Sequence, residues 1–177
     1  MPHIYMWGHT RGRHCHSEAT MSNNNLAGVY ARVVQLLNLL QAPFALLVRV
    51  YVGWVFLKSG WLKISDWGQT LSLFESEYHV PLLPPHAAAV AGTAGELVFS
   101  VLVILGLWGR LSAIGLFAVN ALAVISYAHV LYQDGFEAAI GQHYLWGFML
   151  LVLIFYGPGG LSIDGLLARR SNPPRSI

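Results

Sequence analysis

Apolar residues gather in four long stretches separated by polar runs, and roughly 20 such residues are what a helix needs to span the hydrocarbon core of a bilayer. The first stretch, 44–62, is interrupted by Arg49 and Lys58. The second, 87–107, carries Glu96 as its charge, and the third, 111–131, has Asn120 at its centre. The fourth, about 143–157, is the shortest and stops at Gly157-Pro158-Gly159-Gly160, a run that cannot continue a helix. Ahead of all four, Leu26, Val29, Tyr30, Val33, Leu37 and Leu40 recur at three- and four-residue spacing, with Arg32, Gln35 and Asn38 on other faces. This periodicity predicts an amphipathic helix over 26–42, set in the membrane interface and divided from the first span by Pro43; the alternative is one long kinked helix.

The expected fold is thus an all-α membrane protein, a four-transmembrane-helix bundle preceded by an amphipathic interfacial helix. The parts are a polar, disordered segment at 1–25, the amphipathic helix at 26–42, a transmembrane domain at 43–168 and a basic cytoplasmic tail at 169–177. Trp108, Gly109 and Arg110 leave so little chain between the second and third spans that these must form an antiparallel hairpin. Ala88, Ala91, Gly92 and Gly95 give the second span the small residues that let helices approach in lipid, which predicts a central place for it.

Composition agrees with the pattern. Of the 177 residues 55% are hydrophobic and 10% charged, against about 25% charged in ordinary soluble domains. The scattered net charge of +2 excludes a nucleic-acid partner and leaves the lipid bilayer as the first one. Arg32, Arg110, Arg169, Arg170 and Arg175 fall on one side of a four-span arrangement, whereas the opposite loops offer Lys63 and the acids Asp66, Glu75, Glu77, Asp134 and Glu137. Enrichment of Lys and Arg on the cytoplasmic side then predicts both termini cytoplasmic. Trp61, Trp67, Tyr78, Tyr132, Tyr144 and Trp146 mark the outer boundary, where amphipathic rings settle. Cys15 is the only cysteine, so no internal disulfide or Cys-x-x-Cys pair exists. The first twenty residues lack the apolar core of a secretory leader, and Met21 is a second candidate start. His14-Cys15-His16 is read as an unstructured extension in preference to a metal tract.

Candidate chemistry is sparse. A charged, unpaired Glu96 at mid-membrane costs roughly 2.5 to 3.5 kcal/mol on an insertion scale and therefore requires a partner or a proton. Arg49 and Lys58, nine residues apart, point to opposite faces. Lys58 can extend to the interface, which makes Arg49 the expected partner, in a pair that either fixes packing or relays a proton. Asn120 and Tyr127, seven residues apart, share a face and form a candidate cofactor-binding pair in the bundle interior. His86, His129 and His143, with His79, stand at the outer ends of the spans, where imidazoles can hold a metal ion or haem or hydrogen-bond a quinone carbonyl. No His-x-x-x-His or Glu-x-x-His spacing supports the metal. Ser162 or Asp164 is expected to cap a short helix through Leu166 and Leu167. No phosphate loop, nucleophile elbow or catalytic carboxylate pair is present.

The stretch from Arg49 through Gly53, Phe56, Gly60 and Lys63 resembles the opening of the DoxX family of small bacterial inner-membrane proteins. Gly95-Glu96-Leu97, the Leu105–Arg110 turn and the closing Gly157–Asp164 segment are similar to that family's later motifs, in the same order. The resemblance covers about residues 49–164. It implies a four-helix bundle in the bacterial inner membrane and a link to quinone-dependent oxidation, since relatives include the small membrane subunit of thiosulfate:quinone oxidoreductase. It singles out Arg49, Lys63 and Glu96 as the polar positions to test. Three functions follow as expectations: a membrane subunit or anchor of a quinone-linked redox system, working with partner subunits or as a homo-oligomer; a non-catalytic scaffold for soluble partners; or metal or haem handling at the outer histidines.

Overall fold

The computed structural model describes residues 17–171, with side chains from Leu26 onward. His14-Cys15-His16, the rest of 1–16 and the end of the basic tail, 172–177, lie outside the described residues. Every regular element among the described residues is a helix: α1 Ser17–Ser65, α2 Trp67–Ser76, α3 Pro85–Leu105, α4 Gly109–Ser126, α5 Ala128–Leu131, α6 Glu137–Tyr156 and α7 Ile163–Ser171. Four segments, Leu26–Ser65, Pro85–Leu105, Gly109–Ser126 and Glu137–Tyr156, are long and apolar enough to cross a bilayer. The protein is an all-α membrane protein.

The break expected at Pro43 does not occur, because α1 runs through it as one helix. A proline removes one backbone donor, and a long apolar helix tolerates that where its freed carbonyl finds another partner. The same helix already includes residues 17–25, which were expected to be disordered. The described residues divide into two units between Leu40 and Gln41. In the first, Leu26, Val29, Tyr30, Leu36 and Leu37 are exposed apolar side chains.

The second unit holds the bundle. In α1 the inward positions are Arg49, Val52, Phe56 and Gly60, with Ser59 and Lys63 half-buried at the end of the same stripe. In α3 they are Ala89, Thr93, Glu96, Ser100 and Val103, at alternating spacings of four and three. Apolar residues from α1, α3, α4 and α6 meet as a core of Val52, Phe56, Val103, Ala113, Leu116, Leu150 and Leu153. Close approach rests on glycines: a Cβ on Gly60 would lie 2.9 Å from Leu97 Cγ and 3.1 Å from Glu96 Cβ, so α1 and α3 touch beside the charged residues.

Helix α2, not foreseen in the long first loop, starts where Asp66 Oδ1 accepts from the Gln69 amide at 3.0 Å. It lays Phe74 on Ala88 and Ala89 of α3. The expected α3–α4 hairpin is present. Its turn uses Gly106 at φ +66°, with the Leu107 amide donating to the Leu102 carbonyl at 3.0 Å, the pattern that closes a helix with a left-handed residue. The third expected span ends early, at Ser126, and its last residues form α5. There the Ser126 carbonyl accepts the amide of His79 from the first loop at 2.9 Å.

Candidate functional site

The seven-residue steps from Arg49 to Phe56 to Lys63 keep all three on one face of α1, since seven residues are nearly two full turns. Arg49 and Lys63 are therefore about 21 Å apart along the axis and address different ends of the bundle. Glu96, about 16 Å along α3 from Pro85, meets the second of them.

Lys63 Nζ stands 2.5 Å from Glu96 Oε1, with side-chain exposures of 21% and 8%. Ser59 Oγ accepts from Lys63 Nζ at 3.1 Å and donates to Glu96 Oε1 at 3.4 Å. The expected Arg49–Glu96 pair is thus corrected to Lys63–Glu96. Arg49 instead donates to the Leu161 carbonyl at 2.5 Å and the Ile104 carbonyl at 3.3 Å, with the Asp164 carboxylate near enough to act on its charge. The error came from treating Lys63 as part of the outer loop, whereas it occupies the last turn of α1.

Arg49 belongs to a clamp at the other end of the molecule. Asp164 accepts from the Trp108 amide at 3.1 Å and the Gly109 amide at 2.7 Å, so its carboxylate sits on the N-terminus of α4 and complements the helix dipole. Ser162 Oγ accepts the Gly165 amide at 3.0 Å, which caps α7 as the sequence suggested. The closing Gly157–Asp164 segment and the Leu105–Arg110 turn therefore form one structural unit.

A cavity of about 210 Å³ opens beside the Lys63–Glu96 pair, lined also by Phe56, Ser59, Tyr78, Tyr127, His143 and Trp146. A second, largely apolar cavity of about 140 Å³ lies against Phe74, Val80, Leu83, Ala88, Val119 and Leu122. Lys63, Tyr78, Glu96 and Ala123 line both, so the ion pair and the Tyr78 ring stand between them. Two buried polar atoms of the first cavity's lining, Glu96 Oε2 and Trp146 Nε1, have no hydrogen-bond partner. Tyr78 stacks on Phe74 and Tyr127, with ring centroids 4.7 and 5.0 Å away. Burial, and then the nearby Tyr127 and Glu96, push its phenol above the ordinary tyrosine range, which keeps it a hydrogen-bond donor.

Asn120 and Tyr127 do not line one pocket together. Asn120 is buried and holds His143: its Nδ2 donates to the His143 carbonyl at 3.0 Å and its Oδ1 lies 2.9 Å from His143 Nδ1. An amide oxygen only accepts, so Nδ1 donates and a neutral His143 keeps Nε2 as an acceptor. Tyr127 lines the cavity, and Asn120 serves it from behind.

The three outer histidines do not converge either. His86 packs edge-on to Trp67, His129 lies against His79 and Tyr127 with Glu77 3.9 Å away, and His143 packs on Trp146. Among the described residues no group of three or more His, Cys, Asp or Glu is placed to hold a metal ion. The shared metal or haem site expected of His86, His129 and His143 is not assembled. The separation arises because α4 ends at Ser126, so His129 belongs to α5 and to the loop cluster. Sequence reasoning also missed Tyr78 and Trp146 as parts of a site, having read both as boundary aromatics. The seven-residue stripe ending at Lys63 was the available signal for where they gather.

The model of the DoxX family matches residues 44–129, a range that contains Arg49, Lys63, Tyr78, Glu96 and Tyr127. No curated protein and no solved structure matches the chain.

Proposed function

We propose, for a chain whose residues 44–129 belong to the DoxX family, that it is the membrane subunit of a quinone-linked redox system, with the quinone ring in the cavity beside Lys63 and Glu96. The observation that carries this reading is the buried Lys63–Glu96 ion pair set against a cavity of about 210 Å³ that Tyr78, Tyr127 and His143 also line. A void of about 150 Å³ holds a benzene ring, so a six-membered ring with small substituents fits. Lys63 Nζ and the Tyr78 and Tyr127 hydroxyls supply donors of the kind ring carbonyls accept. A bound quinone contributes acceptance of two electrons and two protons. The chain's own part is to orient the ring, exclude water and exchange a proton at Glu96.

The family link supports placing the protein in the bacterial inner membrane. Arg110, Arg169 and Arg170, set against the acidic loops, support cytoplasmic termini. The electron donor in this reading is a partner subunit.

The test is calorimetric titration of the protein in lipid nanodiscs with a short-chain quinone. Saturable binding is expected, and Tyr127→Phe, which keeps the ring but removes the hydroxyl, should weaken it about tenfold. Absence of binding by the wild-type protein, or equal binding by the variant, overturns the reading.

A further inference from the structure

Two arginines converge on the loop that follows α6. A Cβ on Gly157 would lie 3.6 Å from Arg110 Nε, and a Cβ on Gly160 would lie 3.0 Å from Arg169 Nη2. One guanidinium arrives from the first turn of α4 and the other from the last turn of α7, and both rest on the same four residues. Three extended residues reach at most about 11 Å, so the two glycines beneath the charges stand no farther apart than that. Both arginines are exposed, and among the described residues neither forms an ion pair. Asp164, the one carboxylate in residues 157–171, is already engaged by the Trp108 and Gly109 amides and by the charge of Arg49. Like charges gathered on one short loop repel, and an anion set between them removes that cost.

The depth of the loop indicates which anion. It lies between the end of one apolar span, Glu137–Tyr156, and α7, beside the start of another span, Gly109–Ser126, so it stands where hydrocarbon gives way to headgroups. Exposed apolar side chains adjoin it on all three elements: Leu111 in the first turn of α4, Phe155 and Tyr156 at the end of α6, and Leu166 on α7. From this pairing of unmet cations with apolar flanks we infer that Arg110 and Arg169 bind the phosphate of an anionic phospholipid over the Gly157–Gly160 loop, with its acyl chains along Leu111 and Phe155. A guanidinium fork matches phosphate oxygens, and basic pockets between spans at one membrane face suit such headgroups. The inference is independent of what the inner cavity holds.

Native mass spectrometry of the full chain in mild detergent tests it, by titration with phosphatidylglycerol or with phosphatidylcholine of the same acyl chains. The first phosphatidylglycerol is expected to bind saturably at about a tenfold lower concentration than phosphatidylcholine, as befits hydrogen bonds to a charged group. Arg110→Gln and Arg169→Gln should each remove most of that preference. Arg170→Gln deletes the same charge from the same turn of α7 but from a side chain that does not meet the loop glycines, and it should keep the preference. Equal binding of the two lipids by the wild-type protein overturns the inference without need of any variant. An Arg170→Gln loss as large as that of Arg169→Gln also overturns it, since diffuse charge would then suffice. Displacement of phosphatidylglycerol by millimolar inorganic phosphate would show a site for the free anion and overturn the assignment to lipid.

Discussion

Removing the cation from the Lys63–Glu96 pair should harm the protein more than removing both charges. In Lys63→Met the Glu96 carboxylate stays buried, its Oε1 loses the 2.5 Å contact, and only Ser59 at 3.4 Å remains near it. Breaking a buried pair from one side costs about 3–5 kcal/mol, and the lower end applies because the Lys63 side chain is a fifth exposed. At about 2–4 °C per kcal/mol for a chain of this size, a loss of about 3 kcal/mol lowers the unfolding midpoint by about 6–12 °C. The double variant Lys63→Met, Glu96→Met replaces the pair by apolar groups of similar length, and such replacements are often neutral or stabilising. It should recover most of the loss. Thermal unfolding in one detergent, followed by helical circular dichroism, measures all three proteins. A single variant as stable as wild type, or a double variant no better than the single, refutes the assignment of Lys63 as the partner of Glu96.

Other expectations concern the rest of the molecule. Arg49→Lys should loosen the Gly157–Leu161 segment, because a single ammonium cannot span the Ile104 and Leu161 carbonyls as a guanidinium fork does; limited proteolysis should then cut there faster, and an unchanged rate counts against the clamp. Asp164→Ala strips the Trp108 and Gly109 amides of their acceptor and should cost about 1–2 kcal/mol, with faster hydrogen exchange confined to the α3–α4 turn. Gly60→Ala forces α1 away from α3 at Leu97 and should cost about 1–3 kcal/mol as overpacking, weakening quinone binding along with stability. Tyr78, raised above its unfolded value, leaves stability untouched at neutral pH; its contribution is lost as pH climbs past the ordinary tyrosine value of about 10 towards the higher folded one. Tyr78→Phe should therefore flatten the alkaline fall in stability, and an unaltered pH profile would speak against burial of that phenol.

The membrane class and the identity of the four spans were legible because each stretch approached the length a bilayer demands, whatever its partners did. Helix limits were less so. The fourth expected span began at 143, yet α6 starts at Glu137, since Gly141 and Gln142 look like loop residues but occupy exposed helix positions. Helix α2 had a signature, Asp66 three residues ahead of Gln69 with Leu71 and Phe74 beyond, that the surrounding polar residues obscured. Glu96 stood out in sequence because a charge in an apolar run is costly anywhere. Its partner did not, because that depends on which turn of α1 lies level with α3, and the level is set by contacts such as Gly60 on Leu97 that no spacing rule supplies. The cavity was invisible for the same reason: Tyr78, Tyr127, His143 and Trp146 come from a loop, the end of one helix and the body of another.

The Arg49 clamp has a consequence for how the protein is made. Arg49 and the Leu161 carbonyl that receives it are 112 residues apart in the chain. At 5–20 residues per second, synthesis of that interval occupies roughly 6–22 s. For all of that time the nascent first span holds an arginine whose closest acceptor has not yet left the ribosome. Completion of this end of the bundle is therefore timed by translation, and a chain that stops at residues 157–160 has its four apolar helices with Arg49 left to the Ile104 carbonyl alone.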